Sequence, residues 1–359
     1  MSAAANSAIA NPLLERARAD ILALSPYRHA AWEPQLTRLH ANELPWRVAG
    51  DESLAGLNRY PEPQPPALVR GLAALYGVRP EQLLVGRGSD EAIDMLVRVF
   101  CRAGADNVIV CPPTFGMYAV AARIQGAAVV TVPLRAEAGF ALDEAAILKA
   151  VDADTKLVFV CSPNNPTGNA IPVARLRALA VALMPRALLV VDEAYIEFSD
   201  EPSLAGAIDA HPNLAVLRTL SKAHGLAGAR CGALLAEASI IRLARKVIPP
   251  YAITELTVEA VTPLLAPEVT SQMRGRIAAL VSERERLAIA FAASSRFTKV
   301  WPSDANFLLV DCVEADDVLR RVRGAGLIIR DLRQPTLPRS LRISVGSPAD
   351  NDRLLESLK

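Results

Sequence analysis

A single lysine, Lys222, stands between hydroxyl side chains and a run of small residues in the stretch RTLSKAHGLAGARCG, residues 218–232. Thr219 and Ser221 precede it, and Arg230 follows eight residues later. An amine that is partly removed from water and close to another cation loses its proton more readily than a free lysine, whose pKa is about 10.4. Such an amine can form a Schiff base with an aldehyde. The stretch therefore predicts covalent chemistry at Lys222.

A second stretch with potentially reactive side chains, DEAYIEF, begins at residue 192 directly after an apolar run. Asp192 ends that run, and a carboxylate at the end of a buried strand is costly without a partner. A cation such as a protonated ring nitrogen would offset the cost. Tyr195 lies three residues further on. A plain surface pair of acids is the alternative, which the apolar run before Asp192 makes the weaker interpretation.

Three further loops carry polar or aromatic residues after apolar runs. Ser89 and Asp90 open a predicted helix, where free N–H groups and the helix dipole favour an anion, although in isolation a simple serine cap with acidic first-turn residues is the favoured interpretation. Phe115 is placed to stack on a ring or to join the core. Asn165, in SPNNPTGN, offers an amide at a tight turn that is more polar than a turn requires.

The apolar pattern predicts the elements that bring these loops together. Short continuous apolar runs are typical of strands buried on both faces of a sheet, and helical spacing separates them, as over residues 90–102. This alternation predicts an α/β domain of mostly parallel strands, whose carboxyl ends carry the ligand-binding loops. The predicted strands lie at residues 83–85, 108–110, 127–132, 157–160, 188–191, 214–217 and 233–235.

The pattern changes after about residue 262, which predicts a second, smaller α+β domain. Its expected elements are a long charged helix at 273–294, a strand at 306–310, a helix at 316–323, strands at 327–330 and 341–345, and a last helix capped by Ser347. The predicted division is a large domain of residues 41–262 and a small domain formed by residues 1–40 together with 263–359.

Composition excludes several classes of protein. The chain is 52% hydrophobic and 21% charged, as in globular proteins, and its net charge of +1 argues against nucleic acid as a partner. The N-terminus lacks signal-peptide features and no apolar run reaches the roughly 18 residues that span a bilayer, so we expect a cytoplasmic protein without a membrane partner. The five cysteines form no CxxC pair and are predicted to be buried free thiols. The four histidines lack ligand spacing, so we expect no metal site.

Together the five loops specify one cofactor. It carries an aldehyde for Lys222, a pyridinium nitrogen for Asp192 and a phenolate oxygen for Asn165 and Tyr195. Pyridoxal 5′-phosphate has these groups and a phosphate as well. The predicted phosphate ligands are Ser89, Asp90, Thr219, Ser221 and Arg230, and Phe115 is the predicted stacking residue.

The order and spacing of the motifs resemble those of the fold type I pyridoxal-phosphate aminotransferases over nearly the whole chain. Within that family the chain is most similar to the histidinol-phosphate aminotransferases. The motifs are Asn42-Glu43, YPEP at 60–63, GRGSDEAID at 86–94, PTFGMY at 113–118, SPNNPTGN at 162–169, VVDEAYIEF at 190–198, TLSKAHGLAGARCG at 219–232 and LRISVG at 341–346.

The resemblance implies a mostly parallel, mixed seven-stranded sheet flanked by helices, and specific residue roles. Lys222 would hold the cofactor and shuttle a proton, and Asp192 would keep the ring nitrogen protonated. Tyr195 and Asn165 would bind the ring oxygen. Tyr60 would reach across a homodimer interface to the cofactor phosphate of the partner.

The resemblance also implies a substrate site that accepts two different anions, glutamate or 2-oxoglutarate and histidinol phosphate. A guanidinium fork binds carboxylate and phosphate alike, which suits Arg342 to both. The implied substrate-binding residues are Tyr27, Asn42, Asn165, Arg330 and Arg342. Leu44 and Phe115 depart from the family, in which asparagine and tyrosine are common at these positions, and leave the substrate preference open.

Three alternatives accompany the transaminase hypothesis. An aromatic amino-acid aminotransferase and a threonine-phosphate decarboxylase share the scaffold. A regulatory protein that keeps the domain for sensing is disfavoured, because the α/β core is expected to begin within about forty residues of the N-terminus and leaves no room for a DNA-binding domain.

Overall fold

The computed structural model describes residues 11–33 and 35–359. The predicted apolar runs form one seven-stranded sheet in the order β1-β7-β6-β5-β4-β2-β3, which confirms the predicted α/β fold. Its strands are β1 (Leu83–Gly86), β2 (Asn107–Val110), β3 (Ala128–Thr131), β4 (Thr155–Cys161), β5 (Leu188–Asp192), β6 (Leu214–Thr219) and β7 (Gly232–Ala236).

The pairing brings the predicted loops to one edge of the sheet. Strands β3, β2, β4, β5 and β6 are parallel neighbours, whereas β7 runs antiparallel to β6 and to β1. In the register of this sheet Asp192 pairs with Cys161 on one side and with Leu217 on the other. The carboxyl ends of β4, β5 and β6 are therefore level, and the loops that follow them converge.

Helices cover both faces of the sheet because successive side chains of each buried strand point to opposite sides. Val158 and Val160 join one hydrophobic core, and Leu157 and Phe159 join the other. The α-helices of this part of the chain are α1 (Ala19–Ala23), α2 (Pro66–Tyr76), α3 (Ser89–Phe100), α4 (Met117–Gln125), α5 (Glu144–Ala150), α6 (Val173–Leu183), α7 (Ala238–Val247) and α8 (Glu255–Val261).

The C-terminal part forms its own antiparallel sheet, in the order β10-β11-β9-β8, with a separate core. The serine cap is present, since the Ser347 side chain accepts a hydrogen bond from the backbone N–H of Asp350. The elements are α9 (Pro267–Ala292), β8 (Phe297–Val300), β9 (Phe307–Cys312), α10 (Ala315–Gly324), β10 (Arg330–Asp331), β11 (Ser340–Ser344) and α11 (Pro348–Ser357).

Three details of this part differ from the sequence prediction. The strand predicted at 327–330 is reduced to Arg330–Asp331, and Ile328 is 88% exposed, so that apolar run does not pair in the sheet. Strand β8 was not predicted, because its central residues, Thr298 and Lys299, are exposed and hide the apolar pattern. Helix α9 begins at Pro267 rather than at 273, with proline in the first turn, where its missing N–H carries no penalty.

The described N-terminal residues pack against the large sheet rather than against the C-terminal part. Leu13, Ala17 and Ile21, spaced four apart, are buried in the core that contains α3 and α7. Arg16 Nε donates a hydrogen bond to the carbonyl oxygen of Arg186 at 3.0 Å. This packing departs from the expectation that residues 1–40 belong to the small domain. Within that N-terminal segment, residues 1–10 lie outside the described residues. The domain division as a whole stays a prediction.

The five cysteines are buried and free, as predicted. Across residues 11–33 and 35–359 no helix combines the length and the apolar character that crossing a bilayer requires.

Candidate active site

A cavity of about 270 Å³ opens at the carboxyl edge of the large sheet, where the loops after β4, β5 and β6 meet. It gathers most of the residues predicted to bind a cofactor, although they are scattered over more than 250 positions of the chain. The predicted residues that line it are Ser89, Asp90, Phe115, Asn165, Asp192, Tyr195, Thr219, Ser221, Lys222, Arg230 and Arg342.

Lys222 lies in the loop after β6, with its amine directed across the cavity. Lys222 Nζ is 5.7 Å from the centre of the Tyr195 ring. Thr219 and Ser221 turn the loop, since the Thr219 hydroxyl donates to Ser221 Oγ at 3.0 Å and accepts from the Ser221 backbone N–H at 3.2 Å. The loop therefore presents one amine and two hydroxyl groups to the same cavity.

Arg230 and the first turn of α3 form a cationic wall of the cavity. Arg230 adopts a left-handed backbone conformation, with φ +52°, and its Nη2 lies 3.3 Å from Asp90 Oδ2. Gly88, with φ +89°, lies directly before α3, and a Cβ at this position would be 2.9 Å from Arg230 Nη2. The guanidinium, the free N–H groups of the helix terminus and the two loop hydroxyls together suit a phosphate group.

Asp192 is the buried anion of the site. It is 3% exposed, accepts a 2.8 Å hydrogen bond from the Tyr118 hydroxyl and a 3.1 Å hydrogen bond from the Ala194 backbone N–H. Burial raises its pKa to about 6, because the charged form loses hydration that the two donors only partly replace. A ring cation beside Asp192 would restore the favourable state of the carboxylate.

A stability measurement tests this account of Asp192. Because its pKa rises from the usual 3.8 to about 6, the carboxylate destabilises the cofactor-free fold above pH 6 by about 3 kcal/mol, and this penalty disappears below about pH 4. We expect cofactor-free Asp192→Asn to melt at a higher temperature than the wild-type protein at pH 8 and at the same temperature at pH 4. A variant that is less stable at both pH values would contradict the assignment.

Tyr118 is a residue of the site that sequence reasoning missed. It lies on α4 within the PTFGMY motif, stacks on Phe159 at 5.0 Å between ring centres and is completely buried. Burial raises the pKa of its hydroxyl, which stays protonated and donates to Asp192. The sequence did offer one signal for this pair. A buried tyrosine hydroxyl needs a hydrogen-bond partner, and a buried aspartate needs a hydrogen-bond donor.

Arg342 extends into the cavity from β11 of the small sheet. It donates a hydrogen bond from Nη1 to Asn165 Oδ1, and its guanidinium carbon lies 5.2 Å from the centre of the Phe307 ring. Burial lowers the pKa of Arg342, and the nearby guanidinium of Arg330 acts in the same direction. Arg342 and Arg330 are register partners in β11 and β10, so two cationic side chains share one face near the cavity mouth.

Four predicted substrate- or cofactor-binding residues do not line the cavity of this chain: Tyr27, Asn42, Tyr60 and Arg330. Tyr27 and Tyr60 belong to one aromatic cluster, in which His29 contacts Tyr27 at 5.2 Å and Tyr251 at 4.9 Å between ring centres. Tyr60 stacks on Tyr251 at 4.5 Å. Tyr27 is 64% and Tyr60 49% exposed, so both rings face outwards.

The residues of the cavity fit pyridoxal 5′-phosphate group by group. The buried carboxylate of Asp192 matches a ring cation, the amine of Lys222 matches an aldehyde, and the cationic wall at Arg230 and α3 matches a phosphate. A side chain at Gly88 would occupy the space in front of Arg230.

Comparison with known proteins gives matches over nearly the whole chain. The family Aminotransferase class I and II matches residues 37–358. The histidinol-phosphate aminotransferase of Stenotrophomonas maltophilia is 46% identical over 352 residues, 96% of each chain. The histidinol-phosphate aminotransferase of Xanthomonas campestris is 49% identical over 325 residues, 89% of each chain.

Solved structures show the same fold. The crystal structure of histidinol-phosphate aminotransferase from Sinorhizobium meliloti in complex with pyridoxal-5′-phosphate superposes with a TM-score of 0.76 at 29% identity, over 84% of this chain and 82% of that chain. An L-threonine-O-3-phosphate decarboxylase from Porphyromonas gingivalis superposes with a TM-score of 0.72 at 22% identity, over 84% and 90% of the two chains, which shows a shared fold only.

Proposed function

The chain belongs to the class I and II aminotransferase family, and from this premise we propose that it transfers an amino group from L-histidinol phosphate to 2-oxoglutarate. The products are imidazole-acetol phosphate and glutamate, and the reaction is a step of histidine biosynthesis. Relatives named histidinol-phosphate aminotransferase, 46–49% identical over 89–98% of the chain, support this substrate pair. A biosynthetic role on free metabolites is consistent with a cytoplasmic location.

When bound, pyridoxal 5′-phosphate supplies a ring that accepts the electrons left when the substrate loses a proton. Asp192 is the residue that fits beside the ring nitrogen, where its carboxylate would hold a proton on that atom. The Tyr118 hydroxyl and the Ala194 N–H orient this carboxylate. Phe115 lines the cavity as the candidate stacking residue.

Lys222 is the residue that anchors the cofactor and moves the proton. It lines the cavity together with the two hydroxyl side chains of its own loop, and its amine lies 5.7 Å from the centre of the Tyr195 ring. Burial raises the pKa of Tyr195, so its hydroxyl stays protonated and is available to donate to the ring oxygen, together with the Asn165 amide. In this arrangement Lys222 Nζ transfers the proton, and Tyr195 and Asn165 stabilise the charge on the ring oxygen.

The presence of the Arg342 side chain in the cavity is the observation that supports an anionic substrate. Arg342 is the guanidinium that enters the cavity from the small sheet, where its Nη1 bonds to Asn165, and Lys222 lines the same cavity. The carboxylate of glutamate and the phosphate of histidinol phosphate both match its planar donor pattern. Arg330, its register partner, supplies a second positive charge nearby.

A steady-state substrate panel tests the function. Histidinol phosphate with 2-oxoglutarate is expected to give glutamate, with a higher kcat/KM than aromatic amino acids give under the same conditions. Absence of glutamate, with release of CO2 from a phosphorylated amino acid, would replace this function by decarboxylation. A preference for aromatic amino acids would replace it by aromatic transamination.

We also propose a homodimer in which Tyr60 completes the site of the partner. Glu43, whose side chain is 2% exposed, accepts hydrogen bonds from the Tyr60 backbone N–H at 2.7 Å, Arg38 at 2.7 Å and Arg59 at 3.0 Å. These bonds hold the loop while the ring of Tyr60 faces outwards. The same region exposes large apolar side chains that a second chain would cover, namely Leu36, Leu39, Trp46, Val48 and Leu54.

The homodimer predicts a particle of twice the 38.4 kDa chain mass in analytical ultracentrifugation. Tyr60→Phe is expected to weaken cofactor binding about tenfold, because it removes one hydrogen bond to a charged phosphate. Tyr251→Phe, which keeps the ring that stacks on Tyr60, is the matched control and is expected to bind the cofactor normally. A monomer, or equal cofactor affinity in both variants, would contradict the shared site.

A further inference from the structure

A buried network of charged side chains lies beside the active-site loops. Arg218 is 6% exposed and donates to Glu197 Oε1 at 2.7 Å and to Ser203 Oγ at 3.0 Å. Arg218 Nη1 also lies 3.4 Å from Glu193 Oε2. The same oxygen, Glu197 Oε1, is 3.5 Å from His224 Nε2, which is ion-pair distance for a protonated histidine. Arg218 thus shares two carboxylates, of which one also faces His224.

Each charged member of the network is a close chain neighbour of a residue that lines the cavity. Arg218 and Glu193 lie at the ends of β6 and β5, where adjacent residues point to opposite sides of the backbone. The network is therefore placed to transmit the position of one loop to the other. The neighbours are Glu193 beside Asp192, Arg218 beside Thr219, Glu197 two residues after Tyr195, and His224 two residues after Lys222.

The two carboxylates have different connections. Glu193 accepts hydrogen bonds from Ser203 Oγ at 2.5 Å and from the Leu204 backbone N–H at 2.7 Å, so it ties Arg218 to the segment after residue 200. Glu197 instead joins Arg218 to His224, on the loop that carries Lys222. Of these two carboxylates, Glu197 is the one in contact with the lysine loop.

Stability alone does not account for this network. Burial raises the pKa of Glu193. Burial also acts to raise the pKa of Glu197, but Arg218 and His224 favour the charged form of this carboxylate, and its pKa is lowered as a result. Within the described chain four atoms of this region are buried without a hydrogen-bond partner: Tyr76 Oη, Arg218 Nε, Glu197 Oε2 and His224 Nε2, whose approach to Glu197 is an ion-pair contact and not a hydrogen bond. Well-packed apolar residues often stabilise a fold as well as buried ions do, so a network with such unpaired atoms points to a positioning role.

We propose that Glu197 is a positioning residue: by bridging Arg218 to His224 it holds the loop of Lys222 against the end of β6 and keeps the amine directed at the cofactor. His224 is its contact on that loop. The proposal rests on the proposed cofactor chemistry of Lys222. It assigns a role to two residues, Glu197 and His224, that do not line the cavity.

Paired alanine variants separate positioning from stability. Glu197→Ala and its matched control Glu193→Ala each remove one buried carboxylate from Arg218, but only Glu197→Ala also removes the contact with the lysine loop. The first measurement is the fraction of Lys222 that borohydride fixes to the cofactor at saturating cofactor, read by peptide mass spectrometry. The second is kcat and KM with histidinol phosphate, and the third is the melting temperature.

We expect Glu197→Ala to lower the fixed fraction of Lys222 and to lower kcat by about ten- to a hundredfold, as for a misplaced catalytic group, while KM stays within about threefold. Glu193→Ala is expected to have a lower melting temperature than the wild-type protein, with an unchanged fixed fraction of Lys222 and an unchanged kcat. Should Glu197→Ala fail to fold, His224→Ala leaves the Arg218 pairs in place and is expected to show the same loss of fixation.

Equal effects of the two glutamate variants on fixation and kcat would overturn the proposal, as would normal fixation in both Glu197→Ala and His224→Ala. The wild-type protein distinguishes this failure from failure of the proposed function. A wild-type chain that borohydride does not fix at Lys222 contradicts the cofactor chemistry itself, and with it the positioning role that depends on it.

Discussion

Lys222→Ala is expected to lower turnover by about four orders of magnitude, because the variant loses the group that moves the proton. The same substitution removes the covalent anchor but leaves the cationic wall at Arg230 and α3 and the carboxylate of Asp192. Cofactor is therefore expected to bind non-covalently, and borohydride treatment is expected to leave no cofactor covalently attached to the chain. Single-turnover kinetics with histidinol phosphate measures the remaining rate.

Lys149→Ala is a matched control for the loss of a lysine. Lys149 is exposed in the last turn of α5, away from the cavity, and its removal is expected to leave turnover and borohydride fixation unchanged. Transamination that survives Lys222→Ala at near wild-type rates would refute the role assigned to Lys222. Complete loss of cofactor binding in this variant would refute the cationic wall at Arg230 and α3 as an independent binding element.

Arg342→Ala is expected to lower kcat/KM about a hundredfold for histidinol phosphate and for glutamate alike, since each loses a charge-assisted, two-pronged contact. The guanidinium is partly buried and aligned by Asn165, so a surface cation does not replace it. Arg342→Lys is expected to recover part of the loss, because it restores the charge without the planar fork. Initial rates with each substrate varied separately give the two values.

Arg339→Ala is the control for Arg342. Arg339 is exposed directly before β11, in the same hairpin, and does not line the cavity. We expect the control to match the wild-type protein with both substrates. If Arg342→Ala weakened one substrate and spared the other, the two anions would use separate anchors, and the single-site account of substrate binding would be wrong.

Much of the fold could be predicted from the sequence because buried parallel strands carry continuous apolar runs, and seven of these became the strands of the large sheet. Helix starts were also readable, as at Ser347, where the cap forms as predicted. Strand β8 escaped prediction and β10 is shorter than predicted, since edge strands with exposed residues lack a clear apolar pattern. The packing of Leu13 and Ile21 on the large sheet is set by a distant surface and has no local signal.

The chemistry of individual loops followed from residue types alone: a lysine among hydroxyls, an aspartate closing an apolar strand, a serine and an aspartate at a helix start. These are local properties, because backbone geometry and side-chain chemistry within a few residues decide them. The resemblance to a family then supplied roles that the residues by themselves did not. All of these roles stay predictions. For Tyr27, Asn42, Tyr60 and Arg330, which do not line the cavity, the test requires a second chain or a bound substrate.

Only the tertiary structure decided how the loops meet. The register of β4, β5 and β6 sets Asp192 level with Cys161 and Leu217, and the small sheet delivers Arg342 to Asn165 across 177 positions of sequence. The Tyr118 hydroxyl reaches Asp192 across 74 positions. No role could be assigned to His224 from the sequence, because its spatial neighbour Glu197 lies 27 positions away on another loop. Contacts of this kind depend on strand order and packing, which no short stretch of residues encodes.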